Sequence, residues 1–167
     1  MKGMEAMAEL GYYHRDIQPS NIRVTNAGHI SLIDYHCFDP HNDSGYKKMM
    51  NSHLYFSPLS PQQLKNYVRR VNNAEENVAK NEMFSLGMTI LSVSTLTHLK
   101  DFYDLVYGNI SLDLIESKLQ KMKQLTYSDY LVKTVRNLVS TSEHERPTVK
   151  ELMDFLKPSR EGTTSKY

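Results

Sequence analysis

The segment from residue 13 to residue 34 constrains the fold more than any other part of the chain. Its first half, YHRDIQPSN, brings the polar side chains of Asp16 and Asn21 to either side of a proline. The runs NIRVT and HISLI then alternate apolar and polar residues on either side of a turn that contains glycine, which is the signal of two paired strands. The sequence therefore predicts a β-hairpin over 21–33, with Asp34 directly after it.

Most of the remaining chain has helical periodicity. A helix over 1–10 is expected to stop at Gly11, and an apolar run predicts a buried helix at 82–97. Three amphipathic stripes follow, each behind a residue suited to cap a helix N-terminus: Ser111, Ser128 and Thr148. The expected fold class is mainly α with a small β-hairpin, an α+β fold.

Two stretches lack a sustained pattern. Residues 34–61 are rich in Asp, Pro, His, Asn, Ser and Gly, which predicts a long irregular segment of the kind that is functional or disordered. Residues 66–81 are polar and predict an exposed helix or an insertion. The chain is expected to form one domain over 1–157, followed by a disordered tail at 158–167, which has too little apolar content to offset its ordering entropy.

Composition narrows the classes of function. Twenty Lys and Arg against 19 Asp and Glu leave a net charge of +1, so no strong field favours nucleic acid or an acidic membrane surface. The apolar stretch at 84–96 is shorter than the roughly 20 residues of a membrane span. The single cysteine, Cys37, cannot form an internal disulfide or a zinc cluster, which favours a cytoplasmic setting, with the nucleus as an alternative.

The order and spacing of these residues resemble the catalytic loop and metal-binding triplet of eukaryotic protein kinases. Asp16 precedes Asn21 by five residues and Asp34 by 18, with the strand pair between them. Three later runs are similar to landmarks of the same family in the same order: YFSP at 55–58, EMFSLG at 82–87 and HERPT at 144–148. The resemblance is to the large C-terminal lobe, nearest to the serine/threonine branch, and the expectation is that the small lobe is missing.

This resemblance implies a function and a set of site residues. Asp16 would be the catalytic carboxylate that orients or deprotonates the substrate hydroxyl, while Asn21 and Asp34 would hold Mg²⁺ against the phosphates of ATP. The chain would then be a protein kinase domain fragment, a phosphotransferase acting on protein Ser/Thr, with a protein as substrate or partner. The plain alternative is a turn rich in Asp and Asn beside a hairpin.

Several departures from the family pattern weaken the enzyme interpretation. Gln18 stands where a lysine would neutralise the transferred phosphoryl group, and Arg23 stands where an apolar residue would lie under adenine. His36 replaces the glycine of the metal-binding triplet. Together with the missing small lobe, these changes predict impaired or absent activity in the isolated chain. They leave open a second hypothesis, a non-catalytic, pseudokinase-like interaction module.

Two further residues, Glu82 and Arg146, carry expectations from the same resemblance. Glu82 would keep a carboxylate that accepts backbone hydrogen bonds beneath the catalytic loop. Arg146 would lack its usual glutamate partner, because either Leu59 or Gln62 occupies that position. Arg146 could then be an ordinary solvated arginine, since surface ion pairs contribute little.

Overall fold

The computed structural model describes residues 2–34, 59–69, 77–104 and 106–157. Within these ranges six helices dominate: α1 Lys2–Glu9, α2 Pro61–Arg69, α3 Val78–Thr95, α4 Leu112–Gln124, α5 Asp129–Leu138 and α6 Val149–Leu156. Two short antiparallel hairpins accompany them: β1 Ile22–Val24 with β2 Ile30–Leu32, and β3 Tyr103–Asp104 with β4 Asn109–Ile110. The predicted fold class, mainly α with a small β component, is confirmed.

Local sequence explains where several helices begin. The side chains of Ser111, Ser128 and Thr148 accept hydrogen bonds from the third residue of α4, α5 and α6, as expected of N-caps. At α6 the bond is reciprocal, because the carboxylate of Glu151 accepts from the N–H of Thr148 in a capping box. The three predicted caps are confirmed.

The end of α1 is equally well defined. Gly11 has φ +78° and its N–H donates to the carbonyl of Ala8, while the N–H of Tyr12 reaches back to the carbonyl of Met7. This pair of bonds is a Schellman motif, which needs a left-handed residue that glycine adopts without a steric penalty. The chain therefore turns sharply after α1 and enters the segment that holds Asp16.

Helix α3 is the centre of the core. It packs against α4 and α5 through a cluster that includes Phe84, Met88 and Leu91, all fully buried. A second cluster joins Met83 of α3 to Met4 of α1 and to α6, which packs on α1. Because α3 contributes to both clusters, the groups attached to it are held on a rigid element.

One residue sets the distance between α3 and α5. A Cβ added at Gly87 would lie 2.6 Å from Cβ of Leu138 and 2.9 Å from Cγ1 of Val139. Only glycine allows this close approach, so the two helices come together over Gly87.

The structure differs from the sequence expectations in four places. Helix α3 begins four residues earlier than the predicted 82–97, and α2 begins at Pro61, at the edge of a stretch expected to be irregular. Its start is fixed by Ser60 and Gln63, whose side chains accept from each other's N–H groups. Residues 66–81 include the end of α2 and the start of α3, so one continuous exposed helix there was wrong, while the alternative of an insertion falls largely on 70–76, outside the described residues. The β3/β4 hairpin was not predicted.

Several expectations lie outside the described residues. They concern most of the irregular stretch, the tail at 158–167, the YFSP run, His36 and Cys37. No helix in the described part of the chain combines the length and apolar character that a bilayer span requires.

Candidate functional site

The loop that carries Asp16 is fastened to α3 at two points. The main-chain N–H of Arg15 donates a 2.8 Å hydrogen bond to Oε1 of Glu82. Two residues further along, the carbonyl of the fully buried Ile17 accepts a 3.0 Å hydrogen bond from Oγ1 of Thr89. The loop therefore takes its position from one face of α3, on both sides of Asp16.

Glu82 has the role that the sequence assigned to it. Its side chain is buried, and this burial raises the pKa of its carboxyl to about 7, against the opposing effect of backbone hydrogen bonds from Arg15 and His14. A buried carboxylate would otherwise leave unpaired lone pairs, so the N–H groups of the loop compensate part of its desolvation. The expectation that Glu82 accepts backbone hydrogen bonds beneath this loop is confirmed.

Both carboxylate oxygens of Asp16 accept hydrogen bonds from side-chain amides. Oδ1 accepts from Nε2 of Gln18 at 2.8 Å, and Oδ2 accepts from Nδ2 of Asn21 at 2.7 Å. The same Nδ2 also donates to the carbonyl of Asp16 at 2.9 Å. Gln18 and Asn21 are both buried, so the orientation of the Asp16 carboxylate is fixed by two immobilised partners.

This arrangement also orients the Asn21 amide. Because Nδ2 is directed at Asp16, Oδ1 lies on the opposite side of the planar carboxamide and remains an oxygen donor of the kind that Mg²⁺ prefers. The amide nitrogen of Asn21 thus contacts Asp16, while its amide oxygen is directed away from Asp16.

The end of the β1/β2 hairpin is tied to the same loop by backbone hydrogen bonds. The N–H of Ile33 donates to the carbonyl of Asn21 at 2.9 Å, and Nε2 of the buried His14 donates to the carbonyl of Ile33 at 3.0 Å. Nδ1 of His14 in turn accepts from the N–H of Asp16 at 3.3 Å, which fixes the neutral tautomer. Asp34, the next residue, is exposed and follows directly from this junction.

Residues with positive φ occur both in the loop of Asp16 and at the end of the β1/β2 hairpin. Among the described residues, four other than glycine have positive φ: Arg15, Asp34, Leu96 and Thr126. Leu96 and Thr126 follow the ends of α3 and α4, where a left-handed residue is an ordinary way to stop a helix. Arg15, at φ +65°, and Asp34, at φ +68°, do not end helices. Strain of this kind concentrates at functional positions, where the surrounding contacts impose it.

The donor set near this junction suits a hard cation. Asn21 and Asp34 offer an amide oxygen and a carboxylate, which are ligands for Mg²⁺ rather than for zinc or copper. Among residues 2–34, 59–69, 77–104 and 106–157, no group of three His, Cys, Asp or Glu side chains could hold a metal ion. A magnesium ion held by these two side chains would complete its coordination with oxygens from water or from a bound phosphate.

Two of the residues that depart from the kinase resemblance lie in the described part of the chain. The neutral amide of Gln18 donates a hydrogen bond to the carboxylate of Asp16. Arg23 is exposed on β1 and pairs across the hairpin with Ser31, next to the exposed pair Val24 and Ile30. Neither residue gives the environment that the family pattern implies for phosphate or adenine.

Arg146 is not an ordinary solvated arginine, which was one of the alternatives that the sequence left open. Its side chain is only 2% exposed, Nη1 donates to the carbonyl of Lys80 at 2.6 Å, and the guanidinium lies 5.4 Å from the centre of the Phe84 ring. The two candidate counterparts of its usual partner lie in different surroundings. Gln62 lines the same cleft as Arg146, whereas Leu59 is buried and its main-chain carbonyl accepts a hydrogen bond from the hydroxyl of Tyr103.

Sequence reasoning missed Thr89 and the direct contact of Gln18 with Asp16. A signal for Thr89 was available, because it lies seven residues after Glu82 on a helix and so on the same face. A polar residue on that face of an apolar helix indicates a buried partner. The Gln18 contact carries no such signal, since it depends on the conformation of the loop.

Comparison with known proteins gives partial similarity to kinases. A region of 65 residues is 35% identical to the serine/threonine-protein kinase CBK1 of Candida albicans and covers 36% of this chain. A region of 63 residues is 35% identical to the protein of the same name from Pneumocystis carinii and covers 35% of this chain. The matches span 9% and 12% of those two proteins, and no protein-family model matches the chain. About a third of the chain is therefore kinase-related in sequence.

Proposed function

We propose that residues 1–157 form a protein-kinase-like large lobe and that Asp16, Asn21 and Asp34 are its site for magnesium-bound ATP. The observation that carries this proposal is the contact network around Asp16. Asn21 binds the Asp16 carboxylate, and the backbone of Ile33, next to Asp34, binds both Asn21 and His14. The kinase-related sequence similarity supports the same interpretation.

Each residue has a chemical role in this proposal. The carboxylate of Asp16, held by Gln18 and Asn21, would accept a hydrogen bond from a Ser or Thr hydroxyl of a protein substrate and align it for attack. Asn21 Oδ1 and the Asp34 carboxylate would hold Mg²⁺, which neutralises phosphate charge when it is bound. With no cation at position 18, charge stabilisation is incomplete, so phosphoryl transfer is slow.

A second candidate function is a non-catalytic interaction module. The observation that favours it is the contact of Gln18 with Asp16 Oδ1, because an uncharged amide occupies the place of a cation and blocks one oxygen of the catalytic carboxylate. In this case the site would bind nucleotide weakly or not at all, and its surface would serve a protein partner.

Isothermal titration of the full chain with ATP, with and without Mg²⁺, separates the two functions. We expect ATP binding that requires Mg²⁺ and that weakens at least tenfold in Asp34→Asn. Asparagine tolerates the positive φ of this position but removes the charged ligand. The control is Asp101→Asn, an exposed aspartate in the turn before β3, which should bind as the wild type does. Binding without Mg²⁺, or equal binding by both variants, would contradict the proposal.

A further inference from the structure

A second polar site lies at the N-terminal ends of α2 and α3. An open cleft of about 870 Å³ is lined there by Gln62 and Lys65 of α2, the first residues of α3, and Glu143 and Arg146 from the segment before α6. The residues that hold Asp16, namely Gln18, Asn21, Glu82 and Thr89, are not among those that line it. Tyr13, from the segment before Asp16, also lines the cleft, but Asp16, Asn21 and Asp34 do not, so the cleft is a different feature from the proposed nucleotide site.

The buried charge of Arg146 forms no ion pair among the described residues. Its direct contacts there are neutral, namely the carbonyl of Lys80 and the ring of Phe84, and the carboxylate of Glu143, on the same cleft, offsets its charge without forming an ion pair. The Nε of Arg146 is buried and finds no acceptor in the described part of the chain. A buried charge that forms no ion pair is costly, so this guanidinium would gain from an anion that enters the cleft.

The surroundings of the cleft favour such an anion. Lys65 is exposed on its wall, and the first turn of the 18-residue helix α3, at Val78 and Ala79, also lines it. The side chain of Asn77 caps the N–H of Lys80. The N-terminus of a helix carries a partial positive charge, which adds to those of Lys65 and Arg146. Glu143 is the one acidic side chain in the described lining.

From these observations we propose that the cleft binds an oxyanion, a carboxylate or phosphate group, which balances the buried charge of Arg146. Gln62, on the wall of the cleft, has an uncharged side chain and therefore does not balance the positive charge of Arg146. This site goes beyond the proposed function, because it requires neither ATP nor Mg²⁺.

Thermal unfolding of the full chain tests the proposal. Inorganic phosphate replaces chloride stepwise at constant ionic strength. We expect the midpoint temperature of unfolding to rise by about 2–4 °C, the shift typical of a ligand of modest affinity in a protein of this size. Acetate in a parallel titration separates a site that accepts a carboxylate from one that needs a phosphate dianion, and a rise with either anion supports the proposal. No rise with either anion overturns it.

Two variants make the result specific to the cleft. Lys65→Gln should at least halve the rise, whereas Lys133→Gln, which removes an exposed lysine of α5 outside the cleft, should leave it unchanged. Equal responses of the two lysine variants would overturn the proposal.

Gln62→Glu gives the sharpest test, because it places a carboxylate inside the cleft. We expect this variant to unfold at a higher temperature than the wild type without phosphate, and to lose the response to phosphate. If the new carboxylate in Gln62→Glu only interacted favourably with the dipole of α2, the unfolding temperature would rise but the response to phosphate would remain. A Gln62→Glu protein that still responds like the wild type therefore overturns the proposal. Asp34→Asn should keep the full phosphate response, so failure of the nucleotide site and failure of the cleft are distinguishable.

Discussion

The main-chain N–H of Arg15 donates a 2.8 Å hydrogen bond to Oε1 of Glu82, 67 residues further along the chain. This bond links the loop of Asp16 to the helix at the centre of the core. Arg15 has φ +65°, so the bond also helps to hold a strained backbone. The position of Asp16 thus depends on a buried acid that titrates near neutral pH.

The first prediction concerns pH. Burial raises the pKa of Glu82 from 4.5 to about 7, so between these values the native state binds more protons than the unfolded state. Stability attributable to Glu82 should therefore be full below pH 4.5 and should fall as pH rises to about 7, by up to about 3 kcal/mol. In Glu82→Gln this loss should disappear, because the amide oxygen still accepts from Arg15 but carries no charge.

Urea unfolding of wild type and Glu82→Gln from pH 4.5 to pH 8 measures this difference. Glu9→Gln, at an exposed position of α1, is the matched control and should follow the wild-type profile. A constant stability difference between wild type and Glu82→Gln across this range would contradict the assigned role of burial.

The second prediction concerns the contact between α3 and α5. Gly87→Ala should destabilise the protein by about 1–3 kcal/mol, because the new methyl group meets Leu138 at 2.6 Å and the backbone there cannot easily move. Gly3→Ala in α1 is the control: nothing lies within 4 Å of its new Cβ, and alanine should add up to about 1 kcal/mol through helix propensity. If the denaturant midpoints of Gly87→Ala and Gly3→Ala shift in the same direction, the close approach of α3 and α5 at Gly87 is refuted.

The third prediction concerns charge beside Asp16. Gln18→Lys should strengthen binding of ATP with Mg²⁺ about tenfold or more, since a charged donor near the phosphates contributes about 1.5–3 kcal/mol. Gln18→Met has similar length without charge and should give no gain. Titration calorimetry measures both affinities, and equal affinities for Gln18→Lys and the wild type would show that this position does not face the nucleotide.

The fourth prediction concerns the exposed face of the β1/β2 hairpin. Arg23 lies beside Val24 and Ile30, which are 65% and 72% exposed. Because successive side chains of a strand lie on opposite faces, Arg23→Leu would add an exposed apolar side chain to the face opposite Val24 and Ile30 and should promote self-association, whereas Arg23→Gln should remain monodisperse. Sedimentation velocity over a concentration series measures this. Association of both variants would assign the effect to lost charge, and association of neither would refute the role of Arg23.

Much of the helical framework could be predicted from sequence, because caps and periodicity are local signals. Ser111, Ser128 and Thr148 cap their helices as expected, and Gly11 ends α1. The start of α2 was less clear, since Ser60 and Gln63 cap it within a polar stretch whose apolar face is narrow. The β3/β4 hairpin has two-residue strands, which are too short to show alternation.

For the candidate site, the sequence predicted a set of residues but not their contacts, and the assignment of these residues as a functional site stays a prediction. Motif spacing brought Asp16, Asn21 and Asp34 into one hypothesis, and the fastening of the loop to Glu82 was foreseen by family resemblance. The burial of Arg146 was not predicted, because it depends on how the segment before α6 packs against Phe84 and the start of α3. Such long-range packing leaves no periodic trace in the sequence.

The most direct test of the central claim locates the metal and nucleotide on the protein. In nuclear magnetic resonance spectra of the full chain with ATP, substoichiometric Mn²⁺ in place of Mg²⁺ broadens signals of nearby nuclei. We expect the signals of Asp16, Asn21 and Asp34 to broaden first, and Asp34→Asn to abolish the effect. Broadening that begins elsewhere, for instance at Gln62 and Lys65, or that persists unchanged in Asp34→Asn, would contradict it.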